Sequence, residues 1–170
     1  IIASAHQSLS AAADYFQRHQ ISALILGDTV TGESREIAKG YAALVKEIRF
    51  HPQWLKAPIA LLSGGETTVT IKGEGRGRNA EFLLSLLIEL AGMADVYALA
   101  CDTDGIDGTE NNAGAVITPD SLMRAQQLGL SAQIFLDNND AYTFFQQLND
   151  LVMTGPTYTN VNDFRVILIL

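Results

Sequence analysis

The chain has 170 residues, 48% of them hydrophobic and 18% charged, with a net charge of -8. That composition supports a sizeable core and excludes a disordered chain. With no basic run it also excludes a nucleic-acid surface. No apolar stretch reaches the roughly 18 residues needed to span a bilayer and no signal peptide is visible, so neither nucleic acid nor membrane is expected as a partner.

In chain order, residues 4–18 predict a helix: Ala5, Leu9, Ala12, Ala13 and Phe16 share one face, and Ser4 with Gln7 has the form of a capping box. Residues 21–26 read as a short apolar strand closed by Gly27-Asp28. A second helix is expected over 33–48, with Ile37, Tyr41, Leu44, Val45 and Ile48 on its buried face. Residues 51–58, with Trp54 and two prolines, read as an irregular boundary between two units, 1–57 and 58–170. A buried strand over 58–62 ends in Ser63-Gly64-Gly65-Glu66, and 67–72 reads as another strand. Residues 73–78 form a loop rich in glycine and arginine, followed by a helix over 79–91 that is apolar nearly all round and therefore buried on most sides. Strands are expected at 96–100 and 114–117. Thr118-Pro119 then reads as a cap followed by proline at the first helical position. Helical stretches near 121–128, 132–136 and 141–148 lead to strands at 151–153 and 164–170. This alternation predicts an α/β class: a layered α/β/α arrangement with a mostly parallel or mixed sheet.

Residues 101–108, Cys-Asp-Thr-Asp-Gly-Ile-Asp-Gly, are the most informative stretch. Asp102, Asp104 and Asp107 lie at the mouth of a buried strand, where an α/β protein places metal-bound phosphates or a general base. The order of an EF-hand is not met. Ser63, Gly64, Gly65 and Glu66 allow close approach of backbone to a ligand. They suit phosphate contact through N–H groups, or else simply a tight connection between strands. Arg78 and Asn79 head a helix, where a guanidinium can fork onto a carboxylate or phosphoryl group. Gly73-x-Gly75-x-Gly77 does not match the dinucleotide fingerprint G-x-G-x-x-G. The single cysteine, Cys101, forms no internal disulfide and reads as a small buried hydrophobe, which fits a reducing, cytoplasmic setting. The three histidines show no metal-ligand spacing.

Six blocks, in order, resemble one family. They are Leu62-Ser63-Gly64-Gly65-Glu66-Thr67-Thr68-Val69, Gly75-Arg76-Gly77-Arg78-Asn79-x-Glu81-Phe82, Asp102-Thr103-Asp104-Gly105-Ile106-Asp107-Gly108, Asn111-x-Ala113-Gly114-Ala115, Asn138-Asn139-Asp140-x-Tyr142, and residues 154–163 from Thr154-Gly155-Pro156 to Asn160-Val161-Asn162-Asp163. The family is the class II glycerate kinases (glycerate 2-kinases), whose C-terminal part is called the MOFRL domain. The resemblance implies phosphorylation of D-glycerate at its 2-hydroxyl with ATP and Mg2+, in a cleft between two domains. On that analogy Asp104 is the base or a key acidic group, Arg78 binds the substrate carboxylate or the transferring phosphate, and Asp102 and Asp107 hold the metal. Ser63, Gly64, Gly65, Glu66, Asn79, Asn160 and Asn162 border nucleotide and substrate, and Asp163 is a further candidate beside them. Family members are also described as hydroxypyruvate reductases; a binding module for an anionic metabolite or nucleotide is the non-enzymatic alternative. The chain departs from the family in having only Gly77 before Arg78-Asn79, and Ala80 where glutamine is common. Residues 1–57 resemble the tail of the family's Rossmann-like N-terminal domain, which supplies an essential lysine. With no initial Met, the chain is expected to be a C-terminal piece lacking that domain and inactive alone, whose exposed half-cleft favours self-association into a homo-oligomer.

Overall fold

A computed structural model describes residues 4–71 and 77–170. The first helix, α1 (Ala5–Arg18), starts where its capping box dictates: Ser4 Oγ accepts from Gln7 N–H at 3.2 Å, and Gln7 Oε1 accepts from Ser4 N–H at 2.9 Å. The other elements follow as β1 (Ser22–Glu33), α2 (Ser34–Phe50), β2 (Ile59–Thr68), α3 (Arg78–Leu90), β3 (Val96–Asp102), β4 (Gly114–Ile117), α4 (Ser121–Gln127), α5 (Ala132–Asp137), α6 (Ala141–Leu148), β5 (Leu151–Val152) and β6 (Asp163–Ile169).

The strands form one six-stranded sheet in the order β1-β2-β6-β3-β4-β5. Among the described residues the β1–β2 pair alone is parallel; β2–β6, β6–β3, β3–β4 and β4–β5 are antiparallel. The sheet is therefore mixed, because β6 returns from the end of the chain between β2 and β3. Residues on both sides of position 57 share this sheet.

The two faces are covered unequally. Leu9 and Ala13 of α1 pack with Leu62, Ala23, Ile25, Phe164 and Val166 on one face. On the other, α2 and α3 cover Ile59, Leu61, Val96, Ala98, Ala100, Ile167 and Ile169. Phe82, Leu83, Leu84 and Leu86 are fully buried, so α3 is enclosed on most sides as its all-round apolar pattern demands.

Three local expectations are corrected. Ser63-Gly64-Gly65-Glu66 is not a loop after a strand but the continuation of β2, and no second strand begins at Thr67. The reason lies in β1, which runs on to Glu33 through two register shifts and supplies partners up to Glu33↔Thr68. A glycine pair reads as a break in sequence, yet Gly65 is needed inside this ladder. Its φ is +122°, and a Cβ there would meet the Val30 backbone at 2.2 Å. Thr118-Pro119 precedes the helix as a turn, with Ser121 Oγ accepting from Thr118 N–H at 2.9 Å, so Pro119 is not its first residue. Lys72 and most of the 73–78 loop lie outside the described residues.

Candidate active site

The period-two alternation of strands brings the charged residues together. Val96, Ala98 and Ala100 are buried beneath α3, and the same phase carries Asp102 onto that face at the end of β3. On β6, Ile169 and Ile167 set a phase that continues through Arg165 to Asp163. Pairing of Gly65 with Asp163, and of Asp163 with Asp102, aligns these three residues in one row across the sheet. One row deeper, Ser63 pairs with Arg165.

The first residue of α3, Arg78, reaches over this row. Its Nε donates to Asp163 Oδ1 and Oδ2 at 2.9 and 3.1 Å, its Nη2 to Asp102 Oδ2 at 2.6 Å, and its Nη1 to Glu66 Oε1 at 3.2 Å. Burial pulls the guanidinium pKa down, but Asp163, Asp102 and Glu66 outweigh it and hold it above the ordinary arginine value. Asp163 is the hub: it also accepts from Asn79 Nδ2 at 2.8 Å and from Arg165. Arg165 is 1% exposed, lies 5.3 Å over the Phe82 ring and donates to Thr67 Oγ1 at 3.1 Å. Burial lowers its pKa, so the charge of Asp163 is what keeps a cation in this position.

The acidic loop fixes the start of α3. Asp107, fully buried, accepts from the N–H of Asn79 at 3.0 Å, from Asn79 Nδ2 at 3.3 Å and from the N–H of Ala80 at 2.9 Å. It satisfies donors that a helix N-terminus leaves open. This contact also explains Gly77, whose φ is +117° and whose missing Cβ would stand 2.8 Å from Asp107 Oδ2. Burial pushes the Asp107 carboxyl up to about 6 despite these hydrogen bonds. Asp102 also rises to about 6, again chiefly by burial, with the Asp104 N–H and Arg78 opposing.

A cleft of about 690 Å³ opens beside this cluster, lined among others by Asp28, Thr31, Gly65, Glu66, Arg78 and Asn162. Of the expected site residues, the fold therefore brings Gly65, Glu66, Arg78 and Asn162 to the cleft. Ser63, Gly64 and Asn79 are buried behind it. Asp104 lies in the loop after β3, where Oδ1 accepts from Ile106 N–H at 2.9 Å and Oδ2 from Asn160 Nδ2 at 3.5 Å; neither Asp104 nor Asn160 is a lining residue. Asp102 and Asp107, expected as metal ligands, have their oxygens engaged by protein donors. Asp102 gives one oxygen to Arg78 and the other to Asp104 N–H, and Asp107 gives both to α3. Among the described residues no three His, Cys, Asp or Glu side chains gather to hold one cation. Burial pushes the Cys101 thiol up to about 12, which disfavours the thiolate.

Sequence reading missed Arg165 because an arginine inside an apolar strand carries no motif. It also gave no role to Glu81, which is 1% exposed and joins three elements: it accepts from Arg35 Nε at 2.9 Å and from Asn139 Nδ2 at 2.7 Å. Tyr142 donates to Asn111 at 2.9 Å. Separate sequence blocks are thus joined by single side-chain contacts.

Comparison with known proteins gives the family of the chain. The MOFRL family profile matches residues 59–163. A protein from Agrobacterium vitis named as a hydroxypyruvate reductase is 46% identical over 172 residues, covering 99% of this chain and 39% of its own length. D-glycerate 2-kinase of Thermotoga maritima is 38% identical over 150 residues, covering 88% of this chain and 36% of the kinase. The crystal structure of glycerate kinase from Thermotoga maritima superposes with a TM-score of 0.95 at 35% identity, over 99% of this chain and 41% of that one. The chain thus spans about two fifths of the length of these relatives, and it belongs to the MOFRL family.

Proposed function

We propose that this chain is the C-terminal portion of a glycerate 2-kinase, which transfers the γ-phosphoryl group of ATP to the 2-hydroxyl of D-glycerate. The observation that carries this reading is a guanidinium fixed at a cleft wall by two buried carboxylates, on a scaffold shared with a solved glycerate kinase. In such a transfer the 2-hydroxyl oxygen forms a bond to phosphorus, the bond from phosphorus to the bridging oxygen of ADP breaks, and the hydroxyl proton leaves to a base. Little covalent work falls to the protein; positioning and charge stabilisation dominate. Arg78, pre-oriented by Asp163 and Asp102, suits the substrate carboxylate or the phosphoryl oxygens. Asp104, half-buried in the loop after β3 and outside the cleft lining, is the proposed proton acceptor on the strength of the family resemblance alone. With no preformed chelate among the described residues, magnesium would enter with the nucleotide phosphates, held by one or two carboxylates and water. The cleft's remaining wall and an essential lysine would come from an upstream domain, so the 170-residue chain alone is expected to be inactive.

The test is magnesium-dependent formation of 2-phosphoglycerate from D-glycerate and ATP, followed by phosphorus NMR. The 170-residue chain is compared with a longer protein carrying the upstream part its relatives possess. Product from the longer protein supports the kinase reading. NADH-dependent reduction of hydroxypyruvate without phosphoryl transfer supports instead the activity for which the Agrobacterium vitis relative is named. In the longer protein Asp104→Asn is expected to lower kcat by about 10²–10⁴-fold; near-normal turnover removes the base assignment.

A further inference from the structure

The three carboxylates on Arg78 are not equivalent. The side chains of Asp163 and Asp102 are 0% and 4% exposed and approach at 2.9 and 2.6 Å, whereas Glu66 is 63% exposed and stands off at 3.2 Å. Nε and Nη2 are therefore held by buried acids that cannot leave without stranding a charge. Nη1 is held by an acid that can swing into water at little cost. Arg78 and Glu66 both line the cleft, so this replaceable contact lies where a ligand enters.

We infer that Glu66 is a built-in stand-in for the ligand's anionic group: its carboxylate closes Nη1 of Arg78 in the empty cleft and is displaced by the carboxylate or phosphoryl group of a small anion. This deepens the kinase reading and rests on it. It gives Glu66 a role opposite to that of a binding residue. Glu66 competes with the ligand, prevents weak anions from occupying the site, and keeps the guanidinium oriented until an anion arrives. Glu66 does not sit there by accident of a flexible side chain alone. It belongs to the end of β2 that β1 holds in register through Thr31↔Glu66, which points it along the wall that also carries Arg78.

The experiment is calorimetric titration of inorganic phosphate and of D-glycerate into the longer protein that carries the upstream part, comparing wild type, Glu66→Ala, Glu66→Gln and Arg78→Lys, each with and without magnesium. Because exposed ion pairs are weak, Glu66→Ala is expected to bind both anions roughly two- to fivefold more tightly than wild type. Glu66→Gln should fall between, and Arg78→Lys should lose most of the binding. Wild-type binding that Glu66→Ala and Glu66→Gln leave unchanged or weaken overturns the inference and leaves the kinase reading in place. So does a weakening that appears only with magnesium, which would make Glu66 a cation ligand. Absence of binding by every variant overturns both.

Discussion

Two arginines of nearly equal exposure sit in carboxylate clusters, and the contrast between them shows where the fold accepts a cost. The Arg124 side chain is 29% exposed and pairs with Asp120, 52% exposed, and Asp150, 12% exposed. It also donates to the Leu148 carbonyl at 3.0 Å. That cluster fastens α4 to the end of α6 with charges that water could equally well solvate. Arg78 is 23% exposed, but Asp163 and Asp102 beside it are 0% and 4% exposed, and a second, fully buried arginine lies behind them. Charges removed from water repay their desolvation through pairing, and of the Arg165 nitrogens Nη2 alone is paired, to Asp163 and Thr67, while Nε and Nη1 meet no acceptor among the described residues. A chain that needed only a sheet end would have continued the apolar phase of β3 and β6. Under the proposed kinase reading the buried cluster is a preorganised site; the exposed one is a surface fastening.

The largest expected effect that sharpens this contrast is on stability. Asp163→Asn leaves Arg165 without its counter-charge and should cost about 3–5 kcal/mol in urea unfolding at pH 7; a loss below about 1 kcal/mol would remove Asp163 from its place as hub. Gly77→Ala combines a strained positive φ with crowding of Asp107 and should cost about 2–3 kcal/mol by the same measurement. The buried acids also give a pH signature. Asp107 rises from 3.8 to about 6, so the folded state takes up its proton more readily than the unfolded chain. Its stabilising contribution is complete below pH 4 and is lost as pH rises through 6. Between pH 4.5 and 7 the wild type should lose about 2 kcal/mol more unfolding free energy than Asp107→Asn. Equal changes in the two proteins would mean that the hydrogen bonds from Asn79 and Ala80 cancel the effect of burial on Asp107. Arg124→Ala should be the mildest, about 1 kcal/mol or less.

Much of the fold was legible in the sequence because most elements obey one strong periodicity. The capping box of α1, the all-round apolar pattern of α3 and the apolar run of β6 were found where the sequence placed them. Glycine misled locally. Gly64 and Gly65 read as a loop, since what requires them is the neighbouring β1 backbone, a long-range contact. The mixed sheet was legible only as one of two options, because strand order depends on where β6 inserts. Arg78 was identifiable from its place at a helix start. The division of labour among Asp102, Asp104 and Asp107 was not: three acids within six residues look alike until the structure shows which one caps α3, which one grips Arg78 and which one holds its own loop. Asp163 and Arg165 were hard to assign for the same reason, since their neighbours come from α3 and β2.

The proposed function places the phosphoryl transfer at the Arg78 cluster and not at the Arg124 cluster. Its most direct test is magnesium-dependent ADP release with D-glycerate in the longer protein, comparing wild type, Arg78→Lys and Arg124→Lys. Lysine keeps one charge but cannot reach three carboxylates at once. Arg78→Lys is expected to lower kcat/KM by about 10²-fold or more, with Arg124→Lys within about twofold of wild type. Equal, small effects of the two substitutions would contradict the account and return the buried cluster to the role of a structural ion-pair network.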